Sequence, residues 1–185
     1  MRVLVVYDSM YGNTARVAGA IAEALRASDE VRLLPVAEAT PAALAEVRLL
    51  VVGSPTQRFR PMPAVARLVR SLPANSLDGV RVAAFDTRLA IADVHNAVLS
   101  FFVRILGASA FAARHIERAL TRAGGRPAAA SEGFLVDGTE GPLRPGELER
   151  AARWALLAAA SARGAAGGAE QAPRVAPPPR AHPQT

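Results

Sequence analysis

Short runs of β-branched and aliphatic residues alternate along this chain with segments whose apolar residues recur at helical spacing. The runs are Arg2–Tyr7 (RVLVVY), Val31–Val36, Arg48–Gly53 (RLLVVG) and Val80–Phe85 (VRVAAF), with a fifth expected within Arg126–Val136. Between them, Asn13–Ala27 places Val17, Ala20, Ile21, Ala24 and Leu25 on one helical face, and Pro61–Leu72 does the same with Val65, Leu68, Val69 and Leu72. Pro61 and Pro63 suit a first helical turn, where a missing N–H is harmless. A short helix is expected at Pro41–Ala45, a longer one at about Ala108–Ala123 closed by Gly124 and Gly125, and a last one at Pro145–Ala162. Runs apolar on both faces, alternating with helices, predict a parallel sheet covered on each side. In such sheets ligands bind beyond the carboxyl ends of the strands, so function is to be sought just after each run.

The 185 residues suffice for one compact domain. Gly164–Thr185 differs from the rest: three Gly, six Ala and five Pro, with no aromatic residue, cannot offset ordering entropy. The expectation is a domain over 1–163 and a disordered tail over 164–185. Cysteine is absent, which excludes disulfides, Cys-ligated metals and thiol nucleophiles, and a reducing cytoplasm is the expected compartment. Neither a secretory leader nor an uncharged apolar run of about 18 residues is visible, so no membrane span is expected. All 22 basic residues are Arg, against 16 acidic ones, and aromatic residues make up only 5%. Without basic clusters interleaved with aromatics, the net charge of +6 is not read as a nucleic-acid signature.

The first run leads through Asp8-Ser9-Met10-Tyr11-Gly12-Asn13-Thr14 directly into a helix. Free N–H groups and the helix dipole at such a junction face an anion, while hydroxyls add donors. Ser9, Asn13 and Thr14 could also serve simply as helix caps, though one cap would suffice. Other phosphate loops do not fit: a dinucleotide fingerprint needs three spaced glycines and a Walker loop needs a lysine. The loop suits a phosphate monoester held by neutral donors.

On these residues the chain resembles the flavodoxin family. There the loop reads Ser/Thr-x-Ser/Thr-Gly-x-Ser/Thr and wraps the phosphate of FMN. Ser9, Gly12 and Thr14 match, while Tyr11 replaces the middle hydroxyl and offers its backbone N–H instead. The string Ser-Met-Tyr-Gly is similar to the flavodoxin-like quinone reductases of the WrbA type. The resemblance runs from Met1 to about Arg163. It implies a flavodoxin-like three-layer α/β sandwich, with a five-stranded parallel sheet of order 2-1-3-4-5 and helices on both faces. It also implies FMN as cofactor, its phosphate held by Ser9, Met10, Tyr11, Gly12, Asn13 and Thr14. Pro55, Thr56, Gln57, Arg58 and Phe59 would then flank the flavin ring, with Phe59 packing either on the ring or beneath the following helix. Asp86, Thr87, Arg88 and Leu89 would meet the pyrimidine edge, where Thr87 and Arg88 are the expected donors and Arg88 would favour a negatively charged reduced flavin. The stacking Trp or Tyr of a typical flavodoxin has no counterpart, since the single tryptophan, Trp154, is expected in the core.

Other candidates carry less. Asp93 and His95 could hand protons to a quinone, or His95 could be an exposed helix-end residue. His115 falls in a helix and His182 in the tail, so no metal cluster is expected. A Ser-His-Asp hydrolase lacks its Gly-x-Ser-x-Gly elbow. Residues 97–113 hold one charge, Arg104, and are read as core, or else as a homodimer or membrane-surface contact. From Arg88 to Arg126 six Arg face only Asp93 and Glu117, which suggests an acidic partner, an anionic substrate or an anionic lipid. The reading is an FMN-binding redox protein: an electron carrier serving a partner protein, or a small NAD(P)H- or quinone-coupled oxidoreductase. The alternative is a flavodoxin-like binding or regulatory module without flavin. No catalytic residue is assigned.

Overall fold

The computed structural model describes residues 1–90 and 111–170. In chain order its elements are β1 (Arg2–Tyr7), α1 (Asn13–Arg26), β2 (Glu30–Pro35), β3 (Leu49–Pro55) and α2 (Pro63–Ser71). They continue with β4 (Arg81–Leu89), α3 (Ala112–Arg122), β5 (Arg126–Pro127), β6 (Glu132–Val136) and α4 (Glu147–Glu170). Two 3₁₀ turns, Val36–Glu38 and Pro41–Leu44, link β2 to β3. The strands are parallel in the order β2-β1-β3-β4-β5, and β6 also pairs with β4. This is the expected flavodoxin-like α/β fold.

The central strands β1, β3 and β4 are buried on both faces because their side chains alternate between two cores. Val3, Val5, Leu49, Val51, Ala83 and Phe85 point toward α1 and α4, where Val17, Ile21, Leu25, Ala155 and Ala158 receive them. Leu4, Val6, Leu50, Val52, Val82 and Ala84 point the other way, toward Val65 and Val69 of α2 and Ile116 and Leu120 of α3. Trp154 belongs to the first core, with its ring about 6.2 Å from those of Phe85 and Phe134.

Three boundaries differ from expectation. The fifth strand position is split: Arg81 pairs with Arg126 but Phe85 with Glu132, so the partner of β4 carries two extra residues between these pairs. The interruption is held by Trp154, whose indole N–H donates to the Ala130 carbonyl at 3.0 Å. Next, β4 continues through Leu89, so Asp86-Thr87-Arg88-Leu89 is strand and not loop, because β3 and β6 pair with it on both sides. Finally, the last helix, expected to end at Ala162, runs to Glu170. Asp93, His95, His182, most of 97–113 and the end of the tail (171–185) lie outside the described residues. No described helix is long and apolar enough to cross a membrane.

Candidate functional site

At the carboxyl ends of the strands lies a cavity of about 420 Å³, a size typical of small-molecule sites. One end is built from main chain. Gly12, at the N-cap of α1, has φ +82, which a glycine adopts without steric penalty. A Cβ added to it would meet no atom within 4 Å, so the space over the loop is open. The loop's side chains are engaged elsewhere. The Ser9 hydroxyl accepts the Ala15 N–H at 3.2 Å, and the Asn13 amide donates to the Glu140 carbonyl at 2.7 Å. The hydroxyl of Thr14, a residue 1% exposed, shares a 2.8 Å hydrogen bond with that of Thr87. By contrast, the backbone N–H groups of Met10, Tyr11, Gly12, Asn13 and Thr14 meet no acceptor among the described residues. Five unpaired donors at a helix N-terminus make a cradle for an anion.

The other end is built from side chains. Alternation along β4 sends Thr87 toward α1 and both Asp86 and Arg88 toward α3. The fully buried Asp86 carboxylate accepts from Arg88 Nε at 2.5 Å and from the Ala113 N–H at 2.9 Å. Burial pushes the Asp86 carboxyl above its ordinary pKa, only partly opposed by the Arg88 charge and by hydrogen bonds from Ala113, Arg88 and Thr56. The Thr56 hydroxyl also accepts the Ala112 N–H at 3.0 Å. Since the N-cap of α3, Phe111, offers no side-chain cap, Thr56 and Asp86 cap this helix from two strand ends. They thereby fix Phe111, over whose ring the Arg88 guanidinium lies at 3.9 Å. Gly133 makes room for that guanidinium, which a Cβ there would approach to 2.2 Å.

The turn from Gln57 to Arg60 completes the wall. Its two backbone hydrogen bonds, both 2.9 Å, close a tight hairpin with Arg58 at φ +47 and Phe59 at φ +65. Positive φ at both central residues is the type I′ pattern normally filled by Asn and Gly, so two larger residues sit here at a steric cost. The turn sets the Phe59 ring against Phe111, centroids 6.2 Å apart, on the cavity wall and not beneath α2.

The structure brings twelve of the expected site residues onto one cavity: Met10, Tyr11, Asn13, Thr14, Pro55, Thr56, Gln57, Arg58, Phe59, Thr87, Arg88 and Leu89. Ser9, Gly12 and Asp86 are not on the lining. Ser9 caps α1, Gly12 shapes the loop backbone, and Asp86 anchors Arg88 from behind. The Thr87 hydroxyl is already engaged by Thr14. Phe111, Val136 and Thr139 also line the cavity and were not anticipated. Val136 and Thr139 follow from the strand-end rule applied to the fifth strand position, whereas nothing in the sequence separates Phe111 from Phe101 or Phe102. Among the described residues, Arg58 and Arg88 are the only charged ones on the lining, and no carboxylate is among them. A main-chain anion cradle joined to an apolar, aromatic and cationic chamber fits a phosphorylated planar ring such as FMN.

The fold and this cradle define a flavin-type α/β protein, and comparison with known proteins gives the family. The flavodoxin family model matches residues 5–154, and the chain belongs to that family, whose members bind FMN and transfer electrons with it. Among solved structures, a flavodoxin from the domain Archaea is 20% identical with a TM-score of 0.65, covering 88% of this chain and 99% of its own. Oxidised flavodoxin 1 from Bacillus cereus is 13% identical with a TM-score of 0.66, covering 86% and 98%. Rubredoxin oxygen:oxidoreductase from Desulfovibrio gigas is 18% identical with a TM-score of 0.64, covering 88% of this chain but 36% of its own. No curated protein sequence matches the chain significantly.

Proposed function

We propose that this chain is an electron carrier whose FMN sits in the cavity at the strand ends. The observation that carries the reading is the row of unpartnered N–H groups from Met10 to Thr14 opening onto an apolar chamber. The cradle would hold the phosphate, and Phe59, Phe111 and Leu89 would exclude water around the ring. When bound, FMN supplies one- and two-electron chemistry, while the protein sets orientation and access. Arg88 is the group of this chain that would sense negative charge on a reduced ring, and its pairing with Asp86 weakens that influence relative to a lone guanidinium. A quinone-coupled reductase is the second reading, favoured by Met10 and Tyr11, which are 47% and 48% exposed at the cavity mouth where a planar acceptor could lie. The absorption spectrum of the purified protein, followed by NADH- and quinone-dependent turnover of the FMN-loaded form, separates the readings. A carrier is coloured by flavin and turns over neither substrate pair appreciably. A coloured protein that oxidises NADH with a quinone is a reductase, and a protein that neither holds nor takes up FMN contradicts both.

A further inference from the structure

We propose that the α2–α3 side of the domain, beside the cavity mouth, is a docking surface for an acidic protein. Residues 57–72 hold four Arg and no carboxylate, and residues 111–122 hold three Arg and one Glu, a surplus of six positive charges. The whole chain has 22 basic and 16 acidic residues, so removing these two segments leaves fifteen of each. The entire formal surplus therefore resides in one pair of segments, and the remainder is balanced.

The fold places these segments together. The helices α2 and α3 pack side by side on the same core, and the Gln57–Arg60 turn leads into α2 from the cavity wall. Arg60, Arg67, Arg118 and Arg122 are exposed. Among the described residues they form no ion pair, and on this side only Arg114 finds a carboxylate, Glu117 at 2.8 Å. Elsewhere several guanidiniums are matched within the fold, Arg2 with Glu30 and Glu46, Arg26 with Glu23 and Arg163 with Asp29, while exposed cations without an ion pair among the described residues, such as Arg32, Arg48 and Arg153, are scattered over separate elements. Arg118 on α3 and Arg60 on the turn both lie close enough to act on His115 of α3. His115 lies below its ordinary pKa through partial burial and then through the charges of Arg118 and Arg60.

A protein is favoured over a lipid surface by what the face lacks. Among the described residues the exposed large apolar ones are Met10, Tyr11, Leu156 and Leu157, and none is on α2 or α3, so the described part of this face offers no apolar anchor of the kind an interfacial helix uses. Guanidiniums pair bidentately with carboxylates and are weakly hydrated, which makes them suited to protein interfaces. Docking as such does not require the flavin. That the docked protein exchanges electrons with the cavity rests on the proposed function.

The test titrates a labelled plant-type [2Fe–2S] ferredoxin, used as an acidic protein probe, into the full chain with and without added FMN. Binding is expected at low ionic strength and should weaken about tenfold or more between roughly 20 mM and 0.5 M salt, as screening of exposed charges requires. The triple variant Arg60→Gln, Arg67→Gln, Arg118→Gln should bind about tenfold more weakly still, mostly through a slower association rate. A matched variant of the balanced remainder, Arg32→Gln, Arg48→Gln, Arg153→Gln, should bind like the parent. Circular dichroism melts of both variants establish that each is folded. Probe binding by a chain that takes up no FMN would leave this surface standing and remove the function reading alone. Absence of binding, equal losses in the two triple variants, or tighter retention on phosphatidylglycerol vesicles or a DNA duplex would overturn the proposal.

Discussion

The two ends of the cavity are built by different means. The loop from Asp8 to Thr14 offers an anion its own backbone, with side chains turned to capping and cross-links, and its geometry follows from one residue at positive φ. The far end is assembled from Thr56, Phe59, Asp86, Arg88 and Phe111, which come from the loop after β3, from β4 and from the N-cap of α3 and depend on one another. A contiguous main-chain site tolerates substitution at most of its side chains but not at its glycine. A side-chain site fails when its buried anchor is removed. Phosphate recognition and ring recognition should therefore be separable by mutation.

The largest effect is expected at Asp86. Asp86→Ala leaves the Arg88 guanidinium without its carboxylate in a site where that side chain is 15% exposed, and frees the Ala113 N–H. Breaking such a pair costs about 3–5 kcal/mol, measurable as a lowered midpoint in urea. Asp86→Asn, nearly isosteric, should retain the fold and weaken FMN and riboflavin binding alike, leaving their ratio unchanged. A change confined to FMN would place Asp86 at the phosphate end and break the comparison.

Gly12→Val should do the opposite. A β-branched residue at φ +82 costs roughly 1–2 kcal/mol, and realigning the N–H row should reduce FMN affinity about tenfold or more while riboflavin affinity stays nearly constant. Isothermal titration with both ligands checks this. Thr14→Ala comes next: it strands the buried Thr87 hydroxyl and should cost about 1 kcal/mol of stability. Because this hydrogen bond joins the two ends, both ligands should weaken modestly.

The smallest effect is in pH. Burial would raise the pKa of Glu147, but hydrogen bonds from Arg150 and the Leu135 N–H, with the Arg150 and Arg144 charges, outweigh it and hold the carboxyl below its ordinary value. A depressed folded value means that Glu147 contributes stability above its unfolded value near 4.5, which is lost as pH falls through the folded one. Thermal melts between pH 6 and about pH 3 should therefore show part of the acid destabilisation disappear in Glu147→Gln. Arg150 binds both Glu147 and the Gly133 carbonyl, so this group buttresses the strand beside Arg88, and flavin binding at neutral pH should hardly change.

The same contrast explains what could be read from the sequence. Strand and helix order was legible because the central strands β1, β3 and the first part of β4 are apolar on both faces. The phosphate loop was legible because its residues are contiguous and a glycine stands where the helix begins. The end of β4 was not, since Asp86, Thr87 and Arg88 look like loop residues and are held in the sheet only by pairing with β3 and β6. Nor was the role of Asp86, because an anchor and a ligand-facing residue are the same letter until burial is known. Phe111 escaped because it reaches the cavity through capping contacts with Thr56 and Asp86, which are distant in sequence.

Parallel titration of the purified, flavin-free protein with FMN and with riboflavin tests the central claim most directly, with fluorescence quenching as the readout. If the N–H groups of Met10 to Thr14 hold a phosphate, FMN should bind at least about a hundredfold more tightly, since several charge-assisted hydrogen bonds of roughly 1.5–3 kcal/mol each are present only with FMN. Equal affinities for the two ligands, or no uptake of FMN at micromolar concentration, would contradict the account.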